Sequence, residues 1–235
     1  MSRNRRKLEI ELRDSWKRKY FSPASLALYN KLIPRLRAET SGTLLDVGAG
    51  TMPFRSYVSD VVEEYRTLDI ERKVPGIDLV ADIRDMGPVA SDSCDVVLCS
   101  QVLEHIAEPA KAIREVGRVL RPGGKLVLTV PFLSRLHEEP FDYFRFTRYG
   151  VGFLLEDAGL QVMEIVPAGS LFGFMGHQVS TLIVCGVWDI PVLKQVAFWV
   201  NAALVVLPCY WLDRLPGMQL KMPLNYVVVA KKPEA

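Results

Sequence analysis

Cysteine is scarce in this chain of 235 residues: Cys94, Cys99, Cys185 and Cys209 are all there is, and no two of them form a Cys-x-x-Cys pair. That spacing excludes a dense disulfide framework and a cysteine-rich zinc site, and it predicts reduced thiols in a cytoplasmic protein. The charged N-terminus lacks the apolar core of a secretory signal, so no such segment is expected. Net charge is only +2. What excess there is sits at the front, where residues 1–20 carry eight Lys/Arg against three acids. This basic arm lacks interleaved aromatics and a recognition motif, so no nucleic-acid partner is expected, and a solvated helix face is the simpler reading. Nothing repeats, and no stretch is of low complexity. His-Glu-Glu-Pro at 137–140 has no second histidine at helical spacing, so no metal site is expected either.

What is there is a rhythm. Apolar runs at 43–47, 65–70, 77–81, 95–99, 125–130 and 162–166 read as strands, several without the alternation of a half-exposed strand. Ser22-Pro23 starts a helix over 23–38. Pro109 opens another that Pro122-Gly123-Gly124 closes, and Thr147 caps a third that Gly159 closes. Strand and helix in regular succession predict a mainly parallel α/β sheet. Residues 168–222 break the rhythm before a last strand, "NYVVVAKK". The expected organisation is N-terminal helices over 1–40, a core of 41–167 with 223–235, and a hydrophobic helical insertion over 168–222.

The first strand, "TLLDV", runs into Gly48-Ala49-Gly50, a turn that lets backbone approach a ligand closely. Asp69 ends the second strand, 19 residues beyond Gly50, where an acid can accept bonds from both ribose hydroxyls. These features alone fit a dinucleotide or S-adenosylmethionine. The third glycine of the dinucleotide fingerprint would fall at Pro53, and Asp46 before the turn is suited to a positive charge, which disfavours an NAD-dependent oxidoreductase.

With "LLDVGAGT", "LDI" at 68–70, "ADIRD" at 81–85, "SQVLEHI" at 100–106 and "LRPGGKLVLTVP" in this order, the chain resembles the class I S-adenosylmethionine-dependent methyltransferases. Met52 departs from the glycine common there. The resemblance implies a Rossmann-like, seven-stranded, mostly parallel sheet with helices on both faces and an antiparallel last strand. It also implies a set of cofactor residues. Asp46, Gly48, Ala49 and Gly50 would line the methionine part, Asp69 the ribose, and Ile70, Asp82 and Ile83 the adenine. Ser100, Gln101 and His105 would lie near the sulfonium. Asp82 as a helix cap, Ile83 as ordinary core and His105 as a helix-start residue are the plainer alternatives.

Acceptor chemistry is expected just past the fifth strand, in "FLSRLHEEPFDYFRFT". His137 is the candidate base, Asp142 or Tyr143 would orient a hydroxyl, and Arg145 would hold an anionic group. The competing reading is a loop-fixing Asp142–Arg145 salt bridge. The function expected is methyl transfer to a small-molecule, sugar or lipid-linked acceptor; the alternative is a non-catalytic cofactor-binding scaffold attached to a membrane or partner.

Residues 165–188 and 195–212 contain no Asp, Glu, Lys or Arg. Each run approaches the length that spans a bilayer, yet the strands on either side must join one sheet. A packed helical cap, which a homodimer would also cover, competes here with peripheral membrane contact through 168–212 and with a spanning hairpin.

Overall fold

The strand β1 (Thr43–Val47) is buried from its second residue onward, as a central strand covered on both faces must be. It pairs in parallel with β2 (Glu64–Asp69) on one side and β4 (Cys94–Ser100) on the other. The computed structural model describes residues 7–8, 10–12, 15–72 and 74–234. With β3 (Leu79–Val80), β5 (Leu120–Pro131), β6 (Gln161–Ala168) and β7 (Asn225–Lys231), the strands form one sheet in the order β3-β2-β1-β4-β5-β7-β6. Pairing is parallel from β3 through β5, the end of the sheet that takes up the last strand is antiparallel, and helices surround the sheet. The order reverses between β1 and β4, the place where open α/β sheets bind ligands.

The chain divides into two compact units. One comprises Leu32–Pro131, Glu138–Val166 and Tyr226–Ala235 and holds the sheet. Its core is the fully buried set Leu44, Leu45, Val97, Leu98, Leu126 and Val227. Helix α1 (Pro23–Glu39) starts where Ser22 Oγ accepts the Ser25 N–H at 3.2 Å. The short α2 is Arg55–Val58, and α3 (Pro109–Val119) begins on its proline. α4 (Arg148–Asp157) is capped by Thr147 Oγ1, which accepts the Gly150 N–H at 3.0 Å. One boundary differs from the sequence reading. Pro122-Gly123-Gly124 does not close α3, which already ends at Val119. These residues form an irregular start to β5, where the register shifts between Cys94↔Leu120 and Val96↔Lys125.

The other unit comprises Met1–Lys31, Phe132–His137 and Pro167–Asn225. Leu8 and Leu12 are buried here in a cluster with Phe21, Val184, Cys185 and Trp188, so the basic segment is not a wholly solvated face. Helix α5 (Leu171–Gly186) is held at its start by Asp213. That buried carboxylate accepts the Ser170 N–H at 2.8 Å, the Ser170 hydroxyl, and the Gly173 N–H at 3.0 Å. α6 runs Pro191–Leu212, with a wider turn at Ala202–Val206 ahead of Pro208. α7 is Met218–Lys221.

Candidate functional site

The turn after β1 is built from backbone that only small residues tolerate well. Gly48, Gly50 and Met52 all have positive φ, at 66°, 55° and 54°. The N–H groups of Gly48 and Ala49 both donate to Leu68 O, at 2.8 and 3.2 Å, tying the turn to the end of β2. The two glycines serve different ends. A Cβ at Gly48 would lie 2.4 Å from Val102 Cγ2, so this glycine admits the segment that follows β4. A Cβ at Gly50 would meet only Gly48 O, at 3.9 Å, so the space beyond it is open. Met52, the bulkier residue at the end of the turn, is buried with Ala49 and Ile77.

Two carboxylates lie beneath the turn. Asp69 is buried, and its Oδ2 accepts the Gly50 N–H at 2.8 Å while Oδ1 accepts the Glu71 N–H at 3.4 Å. Asp46 is buried as well, and Tyr65 Oη donates to its Oδ2 at 2.5 Å. Burial pushes the Asp46 carboxyl up to about 7; the Tyr65 bond opposes that rise and the Asp69 charge adds to it. The Tyr65 phenol is raised too, by its own burial and by Asp46. Tyr65 is a residue that the sequence reading missed. Its position opposite Leu44 in the β1–β2 register carries no signal of this bond, which depends on the sheet's pairing.

At the adenine end the expected residues separate. Ile70 is exposed, 65% of its surface remaining open just past Asp69. Ile83 is buried, and Asp82 is engaged by Arg84, whose backbone N–H, Nε and Nη2 donate to it at 2.8, 3.0 and 2.7 Å. The Arg84 bonds hold the Asp82 carboxyl below its usual range. Asp82 fixes a turn and caps no helix, and Ile83 packs in the core.

The end of β4 brings Ser100, Gln101 and His105 together with part of the post-β5 loop. Ser100 Oγ and Thr129 Oγ1 lie 2.8 Å apart, and Gln101 Nε2 donates to Thr129 Oγ1 at 3.2 Å. Gln101 holds φ at 56°, a conformation that costs free energy for a non-glycine residue. His105 Nδ1 contacts Phe141 O at 2.8 Å; a carbonyl only accepts, so Nδ1 carries the proton. Glu104 O accepts the N–H groups of Tyr143 and Phe144 at 2.9 and 3.2 Å, pinning the loop to β4.

Glu104 itself is the second residue missed. Its side chain is fully buried with no hydrogen-bond partner for either oxygen, and Oε1 lies 3.8 Å from His105 Nε2. Burial pushes this carboxyl up to about 8, with Arg145 pulling down and Asp142 pushing up. A glutamate inside the apolar "VLEHI" is the sequence signal that could have found it.

The four residues expected to act on the acceptor fall in different units. His137 belongs to the unit without the sheet, where its Nδ1 lies 3.1 Å from Arg135 O. Asp142, Tyr143 and Arg145 belong to the sheet's unit. Asp142 and Arg145 form a two-bond ion pair, at 2.6 and 2.7 Å, with the Asp142 side chain almost wholly covered. That is the loop-fixing salt bridge weighed above. The Tyr143 ring is about half exposed.

Residues 45–128 match the family described as methyltransferase domain. This segment is a class I methyltransferase domain. Human thiol S-methyltransferase TMT1B is 42% identical over 73 residues, which cover 31% of this chain and 28% of that protein. The demethylmenaquinone methyltransferase of Renibacterium salmoninarum is 39% identical over 93 residues, covering 36% and 39%. The chain thus spans well under half the length of these curated relatives. Among solved structures, the [4+2]-cyclase SpnF superposes with a TM-score of 0.60 at 21% identity over 90% of this chain and 82% of that one, a likeness of fold alone.

S-adenosylmethionine is the cofactor of this domain family. The residues of the methyltransferase domain fit it on two counts: the open backbone at Gly50, and the Asp69 carboxylate placed at the same turn. Ile70 offers the apolar surface that an adenine ring would cover.

Proposed function

We propose that the chain is an S-adenosylmethionine-dependent methyltransferase acting on a small-molecule acceptor, sugar or lipid-linked compounds included. The observation that carries this reading is the turn at 48–50, open beyond Gly50 and braced by Asp69. The cofactor, when bound, supplies a methyl group already activated on sulfur, so positioning and exclusion of water are the protein's main tasks.

Asp69 holds the ribose, while Asp46, Gly48, Ala49 and Gly50 line the methionine end. Ile70 rests against the adenine, and the turn fixed by Asp82 and Ile83 supports that end from behind. Ser100, Gln101 and His105 border the sulfonium. Asp46 titrates at about 7, so a cationic ligand beside it favours the ionised carboxylate. Donor affinity then rises as pH rises through about 7. Tyr143, with its exposed ring, meets the acceptor, and the Asp142–Arg145 pair positions it. His137 is the base for acceptors that must lose a proton.

In organisation, the N-terminal helices of 1–40 and the helical insertion of 168–222 are appended to a core of 41–167 and 223–235. The small number of cysteines and their scattered spacing support a cytoplasmic setting, with the insertion at a membrane face. The names of the relatives, a thiol S-methyltransferase and a demethylmenaquinone methyltransferase, support a small-molecule acceptor.

Titration calorimetry with S-adenosylmethionine tests the donor site, and incubation of cell extracts with isotopically labelled donor identifies the acceptor by mass spectrometry. Binding of the donor without any labelled product would favour the scaffold reading. NAD binding with no response to the donor would overturn both.

A further inference from the structure

The helix α6 divides lengthwise into two unlike faces. One packs inward: Phe198 and Val206 are buried, and Asn201 Nδ2 donates to Phe21 O at 3.0 Å. The other is bare and apolar, carrying Val192, Val196, Trp199, Leu204, Leu207 and Trp211, with Val192 at 79% and Leu204 at 72% exposed. From Gln195 to Leu212 there is no charged side chain. Only 22% of the most apolar stretch of this 22-residue helix is covered, so α6 is no core helix. Leaving so much contiguous apolar surface in water is costly, at about 25 cal/mol per Å².

We propose that this face docks in the plane of a lipid bilayer interface bearing anionic headgroups. The proposal deepens the membrane part of the reading above and does not depend on the transfer chemistry. Three observations select a lipid surface, lying flat, over other occupants.

The first is charge. The unit that contains α6 carries thirteen Lys/Arg against five Asp/Glu, although the whole chain is nearly neutral. One of those five acids, Asp213, is buried as the cap of α5. A basic unit bearing an apolar helix face complements an anionic membrane surface.

The second is the pairing of two aromatic rings with one cation at the end of the helix. The Arg214 guanidinium lies 4.5 Å from the ring centroid of Tyr210 and 4.9 Å from that of the exposed Trp211. Amphipathic pairs of this kind suit the headgroup boundary, with rings below and charges above.

The third is what travels beside the helix. Lys17 Nζ donates to Gln195 Oε1 at 2.9 Å, Lys194 Nζ pairs with Glu11 at 2.5 Å, and the Trp16 and Trp199 rings lie 5.8 Å apart. A spanning α6 would drag Glu11 and Lys17 into hydrocarbon, where each charge costs several kcal/mol. A helix lying flat leaves both at the polar level.

The test uses the full chain with vesicles of phosphatidylcholine alone and with added phosphatidylserine. Co-sedimentation with the anionic vesicles, several-fold weaker with neutral ones and at high salt, is expected. Leu204→Glu should weaken vesicle binding at least tenfold while leaving thermal unfolding and donor binding unchanged, because the side chain is exposed. Single-tryptophan variants retaining Trp199 or Trp211 should be quenched to equal depth by brominated lipids. The two residues are about 18 Å apart along the helix, so a comparable difference in depth would mean that α6 spans instead. Absence of vesicle binding, or binding untouched by Leu204→Glu, overturns the proposal. So does a stable dimer that Leu204→Glu dissociates, since a second copy would then be the occupant.

Discussion

Asp69, Gly48 and Glu104 show three ways a single residue enters this site. Asp69 was readable from its spacing to the glycine turn, and the structure adds that its Oδ2 also braces Gly50. Asp69→Ala therefore removes the proposed ribose ligand and a turn support together. The expected loss of donor affinity is at least about 100-fold, from charge-assisted bonds of about 1.5–3 kcal/mol each, and calorimetry reads it. His137→Ala should leave donor affinity nearly intact and slow turnover. Gly48 was readable as a turn glycine, but its neighbour Val102 was not. Gly48→Ala should destabilise by about 1–3 kcal/mol. Adding Val102→Ala should recover the part due to contact and not the part due to φ, as a double-mutant denaturation cycle would show.

Glu104 was hidden for a physical reason: its burial is a property of the packed sheet end. Its carboxyl titrates at about 8 against an ordinary 4.5, so folding favours the protonated form. That contribution is complete below about pH 4.5 and is lost as pH rises through about 8. Glu104→Gln should flatten the fall in melting temperature between about pH 4.5 and about pH 8, making the variant the more stable form at the alkaline end, by a few kcal/mol at most. An unchanged pH profile would mean that this carboxyl ionises freely.

At the scale of elements, helix starts were the most legible feature. Ser22, Pro109 and Thr147 all begin helices as their chemistry predicts, because a cap acts over three residues and needs no distant partner. The start of α5 is different. Its cap is Asp213, 43 residues away, which no local pattern announces. Asp213→Ala leaves the N–H groups of Ser170 and Gly173 buried and unpaired. It should cost about 2–4 kcal/mol in chemical denaturation, far more than the roughly 1 kcal/mol expected for Thr147→Ala. The Pro-Gly-Gly at 122–124 was misread as a helix end because the same residues also suit an irregular strand entry, and the pairing of β5 with β4 decides between them.

For the whole molecule, the donor should act as a folding ligand. At about 100 times its dissociation constant it adds about 2.7 kcal/mol, which raises the melting temperature of a chain this size by several degrees. Thermal scans with and without S-adenosylmethionine check this, and Asp69→Ala should abolish the shift. By itself, the amino-acid order determined the parallel α/β sheet, the switch point after β1 and the glycine turn with its acid, since all three are written in local periodicity and short spacings. Tertiary structure alone decided which polar groups are spent internally. Asp82 goes to Arg84, Asp142 to Arg145, and Asp46 to Tyr65, while Glu104 is left buried without a hydrogen-bond partner. It also decided which face of α6 remains bare. Burial and pairing depend on residues far apart in the chain meeting in space, and periodicity along the chain does not encode those meetings.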